Sequence, residues 1–277
     1  MSFRSLKPAN PQAALLLPAY GWLTGFLILP LLIVLAYSFA THGDYGGIEW
    51  RLSADNYARV GDWLYLKIIL RSVVMALLTA LGCLALGYPV AWVITTAPKR
   101  HKTTLLFLVV LPFWTNVVVR TYALKLVLPQ SLAFLSSGDF AVGLGMLTNY
   151  LPFMILPLVA SLEGFDSTLL EAARDLGATP GQAIRQVLLP LTRQGILSGL
   201  VFVFAPALGE FVIPDLLGGA KTLLIGNLIT EQFLKARDWP FGSALSMILI
   251  TGVIGVLALA GSPGQKEKPH GNGKEAF

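Results

Sequence analysis

The feature that most constrains this chain is a succession of apolar runs of roughly twenty residues. That is the length a helix needs to cross a hydrocarbon layer about 30 Å thick. Backbone polar groups find no water inside a bilayer, so runs of this length must be helices or the strands of a closed barrel. A barrel would show ten-residue segments of alternating polarity, and this sequence has none. Charged residues make up 13% of the chain, against about 25% in soluble domains. The pattern predicts an all-α polytopic membrane protein with six transmembrane helices. They cover about Ala14 to Phe39, Leu66 to Thr96, Thr103 to Leu124, Ala141 to Leu162, Gln194 to Leu217 and Phe241 to Gly261. The first run is too long for the apolar part of a cleaved signal peptide and reads as an uncleaved anchor. Residues 1–262 form the membrane domain, and the Gly/Pro/Lys-rich stretch 263–277 predicts a disordered cytoplasmic tail.

Charge placement argues for lipid rather than nucleic acid. The net charge is +5, but the basic residues sit at span ends and in short loops, not in a stripe. Their expected partner is the lipid bilayer. Lys99, Arg100 and Lys102 crowd one very short loop, which favours an N-in, C-in layout. Cys83 stands alone, and His42, His101 and His270 are scattered, so neither a disulfide nor a metal site is expected. The stretch DLLGGAKT fails the phosphate-loop template, because Ala220 precedes Lys221 and Asp215 stands where a glycine is required. The chain itself is therefore expected to bind no cofactor and to hydrolyse no ATP. The loop from about Ala40 to Tyr65 is mixed in charge, with Trp50, Trp63 and Tyr65 suited to a membrane interface. It reads either as a short interfacial helix that meets an outside partner or as a solvated connector.

One polar stretch, Glu163 to Pro190, hangs between two apolar runs. Thr168 with Glu171 predicts a capping box that opens a short helix. Leu169, Ala172, Ala173 and Leu176 fall on one apolar face of it. Gly177 stands where a helix takes a left-handed stop. Thr179, Pro180 and Gln182 open a second helix, and Pro190 marks its expected limit. An apolar face shown to water needs something to bury it.

Inside the spans, Glu210 is the costly group. Pro206, Gly209 and Pro214 surround it and predict a broken or kinked fifth span. If a solute path faces this helix, Glu210, Phe211 and Asp215 line its outer half. The other reading pairs Glu210 with a buried donor such as Arg120 or Asn116, or with a neighbouring subunit. Phe113, Trp114 and Tyr122 in the third span offer π faces beside the polar Asn116, a combination suited to an organic cation. Tyr88 stands before the kink residue Pro89 of the second span and joins the candidate path. Gly21/Gly25 and Gly195/Gly199 have the spacing that lets helices approach closely.

The run Glu171-Ala172-Ala173, Gly177 and Val187-Leu188-Leu189-Pro190 resembles the cytoplasmic loop signature of ABC importer permeases. LGYPVAW, LPFWTN, EAARDLGA, DLLGGAKTLLIGN and FLKARDWPFGSA resemble the spermidine/putrescine branch of that family, and within it the first of two permeases. The likeness runs from the first span to about Met247. The resemblance implies a type I importer permease fold with a coupling-helix loop at about 163–193. Leu170, Glu171, Ala172, Ala173, Asp175, Gly177 and Ala178 would dock on an ATPase. It also implies a second, homologous permease as heterodimer partner and a homodimeric ATP-binding subunit that holds ATP and Mg. A periplasmic polyamine-binding protein would deliver the cargo. The chain departs from the family in its short segment between Leu128 and Phe140 and in its tail after Gly261. Rival cargoes in the same family are thiamine, sulfate, iron and phosphonate species, and paired carboxylates favour a cation over the anions. A secondary transporter would show inverted repeats with interruptions in both halves; only one strongly interrupted span is predicted. A scaffold or sensor would not need Glu210 in the bilayer.

Overall fold

A computed structural model describes residues 11–43, 47–128, 138–219 and 222–260. Arg4 and Lys7, most of the short segment before Phe140, Ala220 with Lys221, and the tail lie outside the described residues. Among the described residues, four helices are long and apolar enough to cross a membrane. They are α1 (Pro11–Ser38), α3 (Trp63–Thr96), α6 (Gly138–Glu163) and α13 (Trp239–Ala260). Each bent helix pair, counted as one span, raises the number to six. The chain divides into two compact units, Met1–Val73 with Gly209–Ile250 and Val74–Leu208 with Thr251–Phe277.

In the first unit the loop after α1 is built, not merely solvated. Two short strands, β1 (Thr41–His42) and β2 (Ile48–Glu49), pair antiparallel. They lead to α2 (Asp55–Val60), the short helix that was one of two readings of this loop. Buried Asn56 donates from Nδ2 to the carbonyls of Ser38 at 3.1 Å and Ala40 at 2.7 Å, so orphan carbonyls at the end of α1 are satisfied. Arg59 donates to Asp238 at 2.8 Å and lies 4.0 Å over the ring of Phe241. Burial pulls the Arg59 pKa down, but hydrogen bonds to Asp238 and Tyr65 more than offset this and leave it raised. Asp238 also accepts from the Phe241 N–H and so caps α13. The apolar core beneath is Val60, Ile68, Leu228, Phe241 and Leu245. The first unit also holds α11 (Val212–Leu217) and α12 (Ile225–Glu231).

The second unit centres on α6, whose membrane-length window is half buried. Helix α10 (Arg193–Leu208) packs on it with very close backbones. A Cβ on Gly195 would lie 2.3 Å from Ser161 Cβ, and one on Gly199 would lie 2.6 Å from Met154 Sδ. The predicted close approach is thus real for this pair. Around Gly21 and Gly25 nothing lies within 4 Å of the same imaginary Cβ, so that pair makes no close contact among the described residues.

The third span is not the single helix expected for Thr103 to Leu124. Helix α4 (Lys99–Val110) runs into a tight turn at Leu111–Trp114, and α5 (Val117–Val127) leaves at 93°. Pro112 lacks an N–H, and Thr115 and Asn116 are extended, so the helical ladder cannot continue through them. The polar groups freed there have partners. Thr115 Oγ1 and Arg120 Nη1 donate to the Pro112 carbonyl at 2.7 and 3.0 Å. The fifth span is interrupted as expected: α10 ends at Leu208 and α11 starts at Val212.

Candidate functional site

The polar segment between α6 and α10 forms an arm of two short helices. The first, α7 (Thr168–Asp175), ends as the sequence predicts. Gly177 takes φ +86°. Its N–H bonds the Arg174 carbonyl at 2.9 Å, and the Ala178 N–H bonds the Ala173 carbonyl at 3.0 Å. These two bonds are a Schellman stop, and glycine adopts that backbone without strain. The start differs from the expected capping box. Thr168 is the first helical residue, and Asp166 Oδ1 accepts its N–H at 3.0 Å. A carboxylate is a stronger acceptor than a hydroxyl, so Asp166 takes the role assigned to Thr168. Hydrogen bonds from the Thr168 backbone and then its side chain hold the Asp166 pKa below the ordinary carboxylate value.

The second helix starts as predicted. Thr179 and Gln182 form a reciprocal capping box with Pro180 at the first position of α8 (Pro180–Ala183). Pro190 does not end it. A π turn at Ile184–Leu188 is followed by α9 (Leu189–Leu191), and the bend of 69° comes at Thr192. A widened turn before the proline relieves the clash that a regular helix would have.

Helix α7 packs on the second helix of the arm. Leu170, expected among the docking residues, is instead buried and anchors α7. Glu171, Ala172, Asp175 and Gly177 are exposed, and Ala173 and Ala178 are half-buried. Leu176 is 89% exposed and Leu169 44%. The arm thus carries an apolar edge that no described residue of this chain covers.

Polar ties hold both roots of the arm. Lys102 Nζ lies 2.6 Å from Glu163 Oε1 at the end of α6. At the other root, Tyr88 of α3 meets buried Thr192, hydroxyl to hydroxyl, at 2.9 Å. Tyr88, read from sequence as a path residue, therefore spends its hydroxyl on the bend.

The candidate path residues fall in both compact units. In the second, Trp114, Asn116 and Tyr122 are exposed around the break between α4 and α5. Asn116 caps α5, accepting the Val118 N–H at 2.8 Å. Arg120 donates to Asn149 Oδ1 as well as to Pro112. In the first unit, Glu210 Oε1 accepts the N–H groups of Phe211, Val212 and Ile213 at 3.0, 2.9 and 3.3 Å. Glu210 therefore caps α11, a bond set that neither sequence reading of Glu210 anticipated. Phe211 and Asp215 are exposed beside it. Gly226 closes this break: a Cβ there would lie 2.6 Å from the Gly209 carbonyl oxygen. Sequence reasoning missed Asp166, Gly226 and the Thr192 bend. An Asx-type cap two residues before a helix was a legible signal for the first; the other two depend on remote neighbours.

A family model described as a binding-protein-dependent transport system inner membrane component matches residues 11–261. The spermidine/putrescine transport system permease protein PotB of Salmonella typhimurium strain SL1344 is 43% identical over 263 residues, covering 90% of this chain and 91% of that protein. The protein of the same name from Escherichia coli strain K12 is 44% identical over 254 residues, covering 86% and 92%. One solved structure, a bacterial ABC transporter involved in the import of the acidic polysaccharide alginate, contains a chain that matches at a TM-score of 0.68. At 17% identity, over 90% of this chain and 93% of that one, the match speaks for the fold alone.

Proposed function

This chain belongs to the family of inner membrane components of binding-protein-dependent transport systems, and on that premise we propose that it is a permease subunit of an ABC importer for spermidine and putrescine. The observation that carries the cargo is 43–44% identity to two PotB proteins across nearly the whole chain. The fold is that of a type I importer permease, a multi-pass inner membrane protein. The chain is a non-catalytic transport subunit, and the energy comes from another polypeptide.

In this reading, the exposed edge of α7 docks on an ATP-hydrolysing partner that binds ATP and Mg as a homodimer. A second, homologous permease completes the membrane unit, and a periplasmic polyamine-binding protein delivers the cargo. The partner moves the permease only in so far as it binds its two states with different affinity. The cargo passes the breaks in the third and fifth spans. At the third-span break Trp114 and Tyr122 offer π faces to an alkylammonium, and at the fifth-span break Phe211 offers another, an attraction of about 1–2 kcal/mol when desolvated. Glu210, held by the backbone it caps, and Asp215 supply negative charge. Tyr88 is left out of the path because Thr192 takes its hydroxyl. An N-in, C-in layout puts the arm on the ATPase side.

The test is uptake of labelled spermidine into proteoliposomes holding the complete complex, with and without internal ATP and with the binding protein outside. ATP-dependent uptake that putrescine competes against is expected. ATP hydrolysis stimulated by a loaded binding protein for another solute, with no polyamine uptake, would remove the cargo assignment and keep the permease.

A further inference from the structure

The arm is rooted in two helices that behave as one body. The Gly195 and Gly199 contacts bring α10 so close to α6 that neither can slide past the other without a clash. A push on α7 therefore moves α6 and α10 together. Transport also requires the neighbouring spans to respond. Among the described residues, the polar links from the two roots of the arm to α3 and α4 are the Lys102–Glu163 ion pair and the Tyr88–Thr192 hydroxyl pair. Each sits within a residue of where the arm begins or ends.

The Thr192 link has a defined direction. A threonine hydroxyl has one proton, and Thr192 Oγ1 donates it to the Leu188 carbonyl at 2.8 Å. Tyr88 must then be the donor to Thr192. The chain runs from the α3 phenol through Thr192 to Leu188, the last residue of the π turn. It binds α3 to the bend itself, from half-buried Tyr88 to fully buried Thr192, where a hydrogen bond is stronger than in open water. π turns recur at functional sites.

We infer that Tyr88–Thr192 and Lys102–Glu163 are two clasps that carry movement of the arm into the second and third spans, and that these residues are positioning residues for transport. This rests on the reading that α7 docks on an ATPase.

The test compares Tyr88→Phe, Thr192→Val and Thr192→Ser in the complete complex, scoring spermidine imported per ATP hydrolysed. Tyr88→Phe and Thr192→Val should each lower that ratio about two- to tenfold, the range set by the net worth of one hydrogen bond. The double variant should be no worse than either single one. Thr192→Ser should match wild type, and in all three variants the amount of co-purified ATPase should stay unchanged. At the other root, Lys102→Glu should lower the ratio and Lys102→Glu with Glu163→Lys should restore it. A wild-type ratio in Tyr88→Phe and Thr192→Val overturns the inference. So does a fall matched by loss of assembled complex, which marks a structural role. If the wild-type complex shows no ATP-driven uptake, the docking reading fails first and the clasps fall with it.

Discussion

Single residues do two jobs at once in this chain. Glu210 is costly in a membrane, yet its Oε1 takes three N–H groups that the broken fifth span would leave orphaned. A glutamine keeps an acceptor oxygen and loses the charge. Glu210→Gln is therefore expected to reach the membrane at normal levels and to import spermidine more slowly, by about tenfold if the charge contributes near 1.4 kcal/mol. Glu210→Ala should also lose the cap, worth about 0.5–2 kcal/mol, and melt at a lower temperature. Equal uptake by Gln and wild type would assign Glu210 to capping alone. Gly177 sits at φ +86°, where a β-branched side chain costs roughly 1–2 kcal/mol. Gly177→Val should fray the end of α7, and ATP hydrolysis should no longer be tied to uptake while the spans stay folded.

The short helix α7 depends on its ends, since eight residues are too few to be stable alone. Asp166 caps it with a carboxylate whose pKa is held low. The sign follows from linkage. A depressed folded pKa means that the cap contributes fully above the ordinary aspartate value of about 3.9. It is lost as pH falls through the lowered folded value. Amide hydrogen exchange of residues 168–175 should thus be pH-insensitive, beyond the intrinsic exchange rate, from neutral down to about pH 4 and lose protection below it. In Asp166→Asn that acid-dependent loss should disappear. On the larger helices, Gly195→Leu should drive a side chain into Ser161 and the Pro157 carbonyl. Overpacking of this kind costs about 1–3 kcal/mol or more, and a loss of accumulated protein is the expected readout.

Across the whole molecule, burial is uneven among the membrane-length helices. The window in α6 is 50% buried and the one in α1 only 6%. Leu158 of α6 is fully enclosed, whereas Leu23 of α1 is 66% exposed. Leu158→Ala should destabilise by about 2–5 kcal/mol through lost contacts and a cavity. Leu23→Ala should change the melting temperature of the isolated chain in nanodiscs by much less. Equal effects at both positions would mean that α1 is covered by this same chain. The Arg59–Asp238 pair in the first unit predicts a further contrast. Asp238→Ala removes both the ion pair and the cap of α13 and should cost about 1.5–3 kcal/mol. Asp238→Asn keeps an acceptor for the Phe241 N–H and should cost less.

The sequence by itself determined the class of molecule and most of the arm. Run length and scarcity of charge dictate helices in lipid, because an unpaired backbone group is too costly there. The Gly177 stop and the Thr179–Gln182 box were legible because both are local, each requiring only residues within one turn. The resemblance to importer permeases was legible for the same reason, as motifs of adjacent residues. Tertiary structure decided what depends on distant neighbours. The 93° bend after Trp114 is tied to α6 by Arg120, which donates both to the Pro112 carbonyl and to Asn149. The helix runs through Pro190 because a π turn absorbs it, and it bends at Thr192 beside Tyr88, 104 residues away in sequence. Of the two glycine pairs with the same spacing, Gly195/Gly199 alone meets a partner helix among the described residues. Spacing shows where a backbone is able to come close; only packing selects which helix fills the space.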